Sequence, residues 1–124
     1  METLHHIAIG TPHLEKMVEF YSKLPGLSFL EWKYDESNSK RSGWFLIQEN
    51  IILMIEKRTY SKAPEALVLS LKAIDPTILF IDKLPPPTST TEYSFYFEDP
   101  DKNTVGYSNY PQPLGEWQKT IFKK

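Results

Sequence analysis

Apolar residues along the chain fall into two periods, and the switching between them predicts the elements. Leu4 to Gly10 is a short apolar run of the kind that forms a buried strand. Thr11-Pro12 follows, a capping residue and then a proline at the first helical position. Leu14, Met17, Val18, Tyr21 and Leu24 recur at helical spacing, and Pro25-Gly26 stops the helix. Leu27 to Tyr34 alternates, with Glu31 and Lys33 on one parity and Leu30 and Trp32 on the other, as a half-exposed strand does. Asp35 to Ser42 is polar and reads as a loop. Trp44 to Gln48 and Ile51 to Glu56 are two further strands around the tight Glu49-Asn50 connection.

The second half repeats this order. Arg58 to Pro64 is a polar linker, and Leu67 to Leu71 predicts a strand. Asp75-Pro76 repeats the cap-then-proline signal before Ile78, Leu79, Ile81 and Leu84, and Pro85-Pro86-Pro87 ends that helix. Tyr93 to Phe97 and Thr104 to Tyr107 form a closing hairpin. Its turn has Pro100 at the second position and Asn103 able to take a positive φ. Little room is left between Leu84 and Tyr93, so the strand after the second helix is short or absent. Leu114 to Phe122 has room for one or two helical turns. The pattern predicts an α+β chain of two β-α-β-β-β units, the second abbreviated. Unit 1 spans about 1–58, unit 2 about 65–109 and a C-terminal tail 110–124 of a single domain.

A chain of 124 residues can bury roughly two-thirds of its unfolded surface, so one core is enough to fold it. Seven Tyr, seven Phe and three Trp suit either that core or an aromatic-lined pocket. A net charge of -2, with no basic run longer than pairs such as Lys40-Arg41 and Lys57-Arg58, gives no electrostatic reason to expect nucleic acid or an anionic membrane. Absence of cysteine excludes disulfides, thiolate catalysis and cysteine-ligated zinc, and fits a reducing cytoplasm. No signal-peptide pattern opens the chain and no apolar run reaches membrane-spanning length, so a cytoplasmic protein is expected.

Two motifs carry a family resemblance. Leu4-His5-His6-Ile7-Ala8-Ile9, then His13-Leu14-Glu15-Lys16 and Phe20-Tyr21 up to Leu24-Pro25-Gly26-Leu27, is similar to the opening of the glyoxalase / bleomycin-resistance / extradiol-dioxygenase (vicinal oxygen chelate) superfamily. The usual form there is His-Val-Ala-Leu, a helix start, Phe-Tyr, then Leu-Gly-Leu; Pro25 interrupts the last element here. Ser94-Phe95-Tyr96-Phe97-Glu98-Asp99-Pro100-Asp101-Lys102-Asn103 resembles the family's closing hairpin, commonly Phe-x-Asp-Pro-Asp-Gly-Asn, with Lys102 in place of Gly. The resemblance covers roughly residues 4 to 108. It implies that the two curved mixed sheets form a cup. In metal-dependent members that cup holds up to four His, Glu or Gln ligands, from the first and last strands of each unit.

Carried over position by position, the ligand set is nearly gone. The first position matches His6. The second falls on Leu53, the third on Val68 (or Ala66 in an alternative register) and the fourth on Gly106. Strand parity turns His5 away from His6 and Glu56 away from Leu53, and His13 stands at the helix entrance. The same-face neighbours Ile51, Ile55, Ser70, Thr104 and Ser108 are apolar or weakly coordinating. No metal, no cofactor and no catalytic residue is therefore expected, and His6 reads as a pocket or core histidine. Ser94 and Tyr96 resemble the Ser-x-Tyr-Phe stretch of fosfomycin-resistance enzymes, which implies hydroxyl donors on the pocket wall; Tyr96 reads equally as an ordinary strand aromatic. Trp32, Tyr34 and Trp44 offer stacking surface, or else core or dimer contacts. Three readings follow. The leading one is a metal-free small-molecule binder, its ligand touching His6, Trp32, Trp44, Leu53, Ser94, Tyr96 and Gly106. The others are a lyase, isomerase or dioxygenase-like metalloenzyme with relocated ligands, and an interaction domain whose cup is filled. Open sheet edges and family habit also lead us to expect a homodimer.

Overall fold

The computed structural model describes residues 4–48, 51–72, 74–75, 84–115 and 117. Its elements are β1 (His6–Thr11), α1 (Leu14–Ser22), β2 (Leu27–Tyr34), β3 (Lys40–Ile47), β4 (Ile51–Lys57), β5 (Leu67–Ser70), β6 (Ser89–Thr90), β7 (Ser94–Glu98) and β8 (Thr104–Ser108). They build two four-stranded sheets, ordered β1-β4-β3-β2 and β5-β8-β7-β6. In each sheet the first strand pairs parallel with the last, and the other pairs are antiparallel. This is the duplicated mixed-sheet α+β architecture read from the sequence. The strand before the closing hairpin is indeed short, two residues long. The second helix, apart from Leu84, lies outside the described residues, as do the Glu49-Asn50 connection and most of the terminal segment after Gly115.

Two boundaries and one turn position differ from the sequence reading. The strand expected from Trp44 begins at Lys40, because Ser42 and Gly43 pair with Lys33 and Trp32 on one side and with Glu56 and Ile55 on the other. Asp35 shortens the loop: its Oδ1 accepts the backbone N–H groups of Ser37 and Ser39. The helix begins at Leu14 rather than at Pro12, with the Thr11 hydroxyl accepting the His13 N–H at 2.9 Å. In the closing turn the positive φ belongs to Lys102 (68°), not to Asn103, whose backbone and side-chain N–H groups both bond to Asp99.

Both sheets turn one face to a single core. Leu14, Met17, Val18 and Tyr21 of α1 are buried, together with Ile9, Phe45, Leu53 and Ile55 from the first sheet and Leu69, Phe95, Phe97, Val105 and Tyr107 from the second. Polar bonds fasten the two units together within that core. The Tyr21 hydroxyl donates to Asp99 Oδ2 at 2.7 Å, and the Tyr107 hydroxyl donates to the Pro25 carbonyl at 2.6 Å. Burial first, then the Asp99 charge and hydrogen bond and the more distant Asp101 charge, push the Tyr21 hydroxyl far above the usual tyrosine range. Burial alone does the same for Tyr107. Both hydroxyls stay neutral donors at any physiological pH. Because both core faces are used, the opposite faces of the two sheets look outward, and the sheets are not closed into one cup within the chain.

Candidate functional site

Register decides which side chains reach the outer face of the first sheet. His6 is level with Ile52, Ala8 with Met54 and Gly10 with Glu56 along the parallel β1–β4 pair. Ile52, Met54 and Glu56 are in turn level with Leu46, Trp44 and Ser42 of β3. Side chains at paired positions share a face, so His6, Trp44, Met54 and Glu56 stand together outside. Trp44 is half-buried there. Its indole N–H donates to Ser42 Oγ at 2.9 Å, and the Lys33 ammonium lies 5.1 Å from its ring.

Two expected site residues point the other way. Leu53 is level with Ile7, not His6, and is fully buried against α1. Leu53 stands one residue off the His6 face, and one step in a strand exchanges the faces. The same step corrects Glu56, which shares the outer face with His6. It lies four positions further along, roughly 13 Å at the rise of a strand, too far to share a ligand atom. Trp32 also turns inward: it is level with Gly43, where an added Cβ would lie 2.6 Å from Val18 and 3.4 Å from the Trp32 ring. His5 is a further correction, because its Nδ1 lies 3.0 Å from that of His6. It precedes the first strand, so strand parity does not govern it. Tyr34, near the end of β2, is exposed.

The outer face of the second sheet carries Val68, Gly106 and Tyr96 in one row, and Ser70, Ser108 and Ser94 in the next. Ser94 and Tyr96 do share a face. The Ser94 hydroxyl donates to Ser108 Oγ at 2.8 Å and is buried, whereas Val68 is 42% exposed. Gly106 is covered by its neighbour: a Cβ there would lie 2.5 Å from both the Phe95 carbonyl oxygen and Tyr96 Cδ1. The Tyr96 ring therefore fills the space that a longer side chain at position 106 would need.

These residues do not fit a catalytic metal of the family type, which needs about three protein donors converging on one point. His6 is the one residue that the sequence resemblance matched to a family ligand. Its level neighbour is Ile52, the β5 position is Val68, and the β8 position is sealed by Tyr96. Among the described residues no group of three or more His, Cys, Asp or Glu is placed to hold an ion.

Where β1 meets the linker, the sequence reading missed a constellation. Gly10 and Lys62 exchange backbone hydrogen bonds of 2.8 and 3.0 Å, which draws residues 58–64 along the free edge of β1. The Arg58 stem and the Tyr60 ring then lie over Gly10, 3.1 and 3.5 Å from where its Cβ would be. Ala8, Gly10 and Glu56 on one side, and Arg58, Tyr60 and Lys62 on the other, enclose an open cavity of about 420 Å³. Arg58 donates to Glu56 Oε2 at 3.0 Å and to the Lys57 carbonyl at 2.9 Å. The one sequence signal was the pair of small residues, Ala8 and Gly10, on the outward parity of β1.

A second cluster ties the units together at the opening of α1. Asp101, its side chain 1% exposed, accepts from Ser61 at 3.1 Å and pairs with His13 Nδ1 at 3.0 Å. Burial pushes its carboxyl up. The hydrogen bonds of Thr11, His13 and Ser61, with the charge of His13, outweigh that and hold it below the usual carboxylate range.

No family model and no curated protein matches this sequence. Solved structures do match the fold. The oxidase ChaP-H2 superposes with a TM-score of 0.66 at 14% identity, covering 90% of this chain and 96% of its own. A glyoxalase / bleomycin resistance protein from Catenulispora acidiphila gives 0.66 at 13%, covering 88% and 100%. The fosfomycin resistance protein FosX from Mesorhizobium loti gives 0.62 at 18%, covering 94% and 96%. The chain thus has the fold of the glyoxalase / bleomycin-resistance / fosfomycin-resistance superfamily, as a divergent member of it would.

Proposed function

We propose that this protein binds a small organic molecule on the outer face of its first sheet, and does so without a metal ion. The observation that carries this reading is the Tyr96 ring over Gly106. A ligand position of the family is not merely replaced but closed, while Trp44, Met54 and the Arg58–Lys62 segment leave a receptive surface on the other sheet. Names among the similar structures point to small-molecule chemistry, and one FosX from Listeria monocytogenes is described in complex with Mn(II) and a dihydroxypropylphosphonic acid. That metal belongs to that protein; the donor set here supports sequestration or sensing rather than its chemistry. A single chain offers its two outer faces separately, so a cup built from both requires a second copy, and we place a homodimer in this reading. Freedom from cysteine supports a reducing cytoplasm as its setting. Among the described residues no helix is long and apolar enough to cross a membrane.

The test is metal analysis of dialysed protein followed by a thermal-shift ligand screen. We expect substoichiometric zinc, nickel and manganese. We also expect at least one ligand class to stabilise the protein by about 2.7 kcal/mol at a hundredfold excess over Kd. Near-stoichiometric metal would return the chain to the metalloenzymes, and a screen without hits would leave it an interaction domain.

A further inference from the structure

The cavity between β1 and the 58–64 segment has a definite chemical preference. Its floor is made by small residues: Ala8 is exposed on the outer face of an edge strand, and Gly10 beside it lets the Arg58 stem and the Tyr60 ring close in over the strand. Its volume of about 420 Å³ lies within the roughly 300–1,000 Å³ typical of small-molecule pockets. One rim is the Tyr60 ring, half exposed and held at van der Waals distance from Gly10. The charges are unequal. Glu56 is the one acid on the wall, and Arg58 already occupies it at 3.0 Å. Arg58 uses one N–H for Glu56 and one for a backbone carbonyl, which leaves guanidinium donors over. Lys62 is fixed by its backbone exchange with Gly10, and its ammonium has no partner among the described residues. The cavity therefore carries one cation in excess, flanked by a ring and by Ala63 and Pro64.

We propose that this cavity is an oxyanion site, taking a small carboxylate or phosphate ester that carries a flat apolar group. Lys62 and the spare Arg58 donors hold the anion, and the flat group lies between Tyr60 and the bare floor at Ala8. A cationic ligand is disfavoured because Glu56 is already neutralised by Arg58. This inference rests on the small-molecule reading above and adds a place and a charge to it.

Amide chemical shifts during titration with benzoate, phenyl phosphate and benzylammonium test it. The expected result is saturable shifts at Ala8, Gly10 and Lys62 with one or both anions and none with benzylammonium. Lys62→Glu should weaken anion binding at least tenfold, and Ala8→Leu should abolish it by filling the floor; both positions are exposed, and circular dichroism checks that each variant folds. Benzylammonium binding at the same amides, unchanged anion affinity in Lys62→Glu, or no saturable shift with either anion would overturn the site. A neutral or cationic hit from the thermal screen that moves Trp44 or His6 instead would sink this inference and leave the binding function standing.

Discussion

Single side chains decide what the outer faces of this fold can hold. Gly106 is the sharpest case, since a Cβ there meets a backbone oxygen at 2.5 Å that cannot rotate away. Gly106→Ala should cost about 1–3 kcal/mol by overpacking, read as a lower Tm in thermal unfolding. Asp101 gives the second prediction. Its carboxyl is held below its ordinary value, so the stability it contributes is present above the unfolded pKa of about 3.9 and lost as pH falls through the lower folded value. At pH 7 Asp101→Asn should destabilise by about 1–3 kcal/mol, through weakened bonds to His13 and Ser61. Chemical denaturation at stepped pH should show that gap closing below about pH 4, as the Asp101 carboxylate is protonated. A gap that persists undiminished well below about pH 3 would contradict the assignment.

At the scale of elements, α1 does more than cover its own sheet. Met17 and Val18 pack on the first sheet, while Phe20 and Tyr21 reach Phe97 and Asp99 of the second unit. Helical spacing in the sequence showed the buried face but not that the helix serves two sheets. Tyr21→Phe keeps the ring and removes the hydroxyl bonded to Asp99, leaving Oδ2 with the Asn103 amide. Equilibrium unfolding should show a loss of about 1–3 kcal/mol with the transition still cooperative. An unchanged midpoint would mean that water replaces the bond. The closing turn shows the complementary lesson. Its Asp-Pro-Asp-x-Asn pattern was readable, yet the left-handed position falls on Lys102, where the family pattern has Gly.

For the whole molecule, the strand order of both sheets and the sharing of one core leave two outer faces apart in each chain. Val68, 42% exposed beside Gly106 and Tyr96, marks the second of them. Sedimentation equilibrium should report twice the chain mass, and Val68→Glu should shift it towards one chain without unfolding it. A monomer at all concentrations would mean that each face works alone.

The duplicated order of strands, the buried face of α1 and the closing hairpin were determined by the sequence alone. Periodicity of 3.6 or 2 and turn chemistry are local properties, set within a few residues of where they act. What only the tertiary structure decided was register and neighbourhood. Leu53 and Trp32 face the core and Glu56 faces out because β4 pairs with β1 so that Leu53 is level with Ile7 and Glu56 with Gly10, and because β2 carries register shifts, and nothing local to those strands records it. The cavity of Ala8, Gly10, Arg58, Tyr60 and Lys62 joins residues some fifty positions apart, through one pair of backbone bonds that no side chain announces.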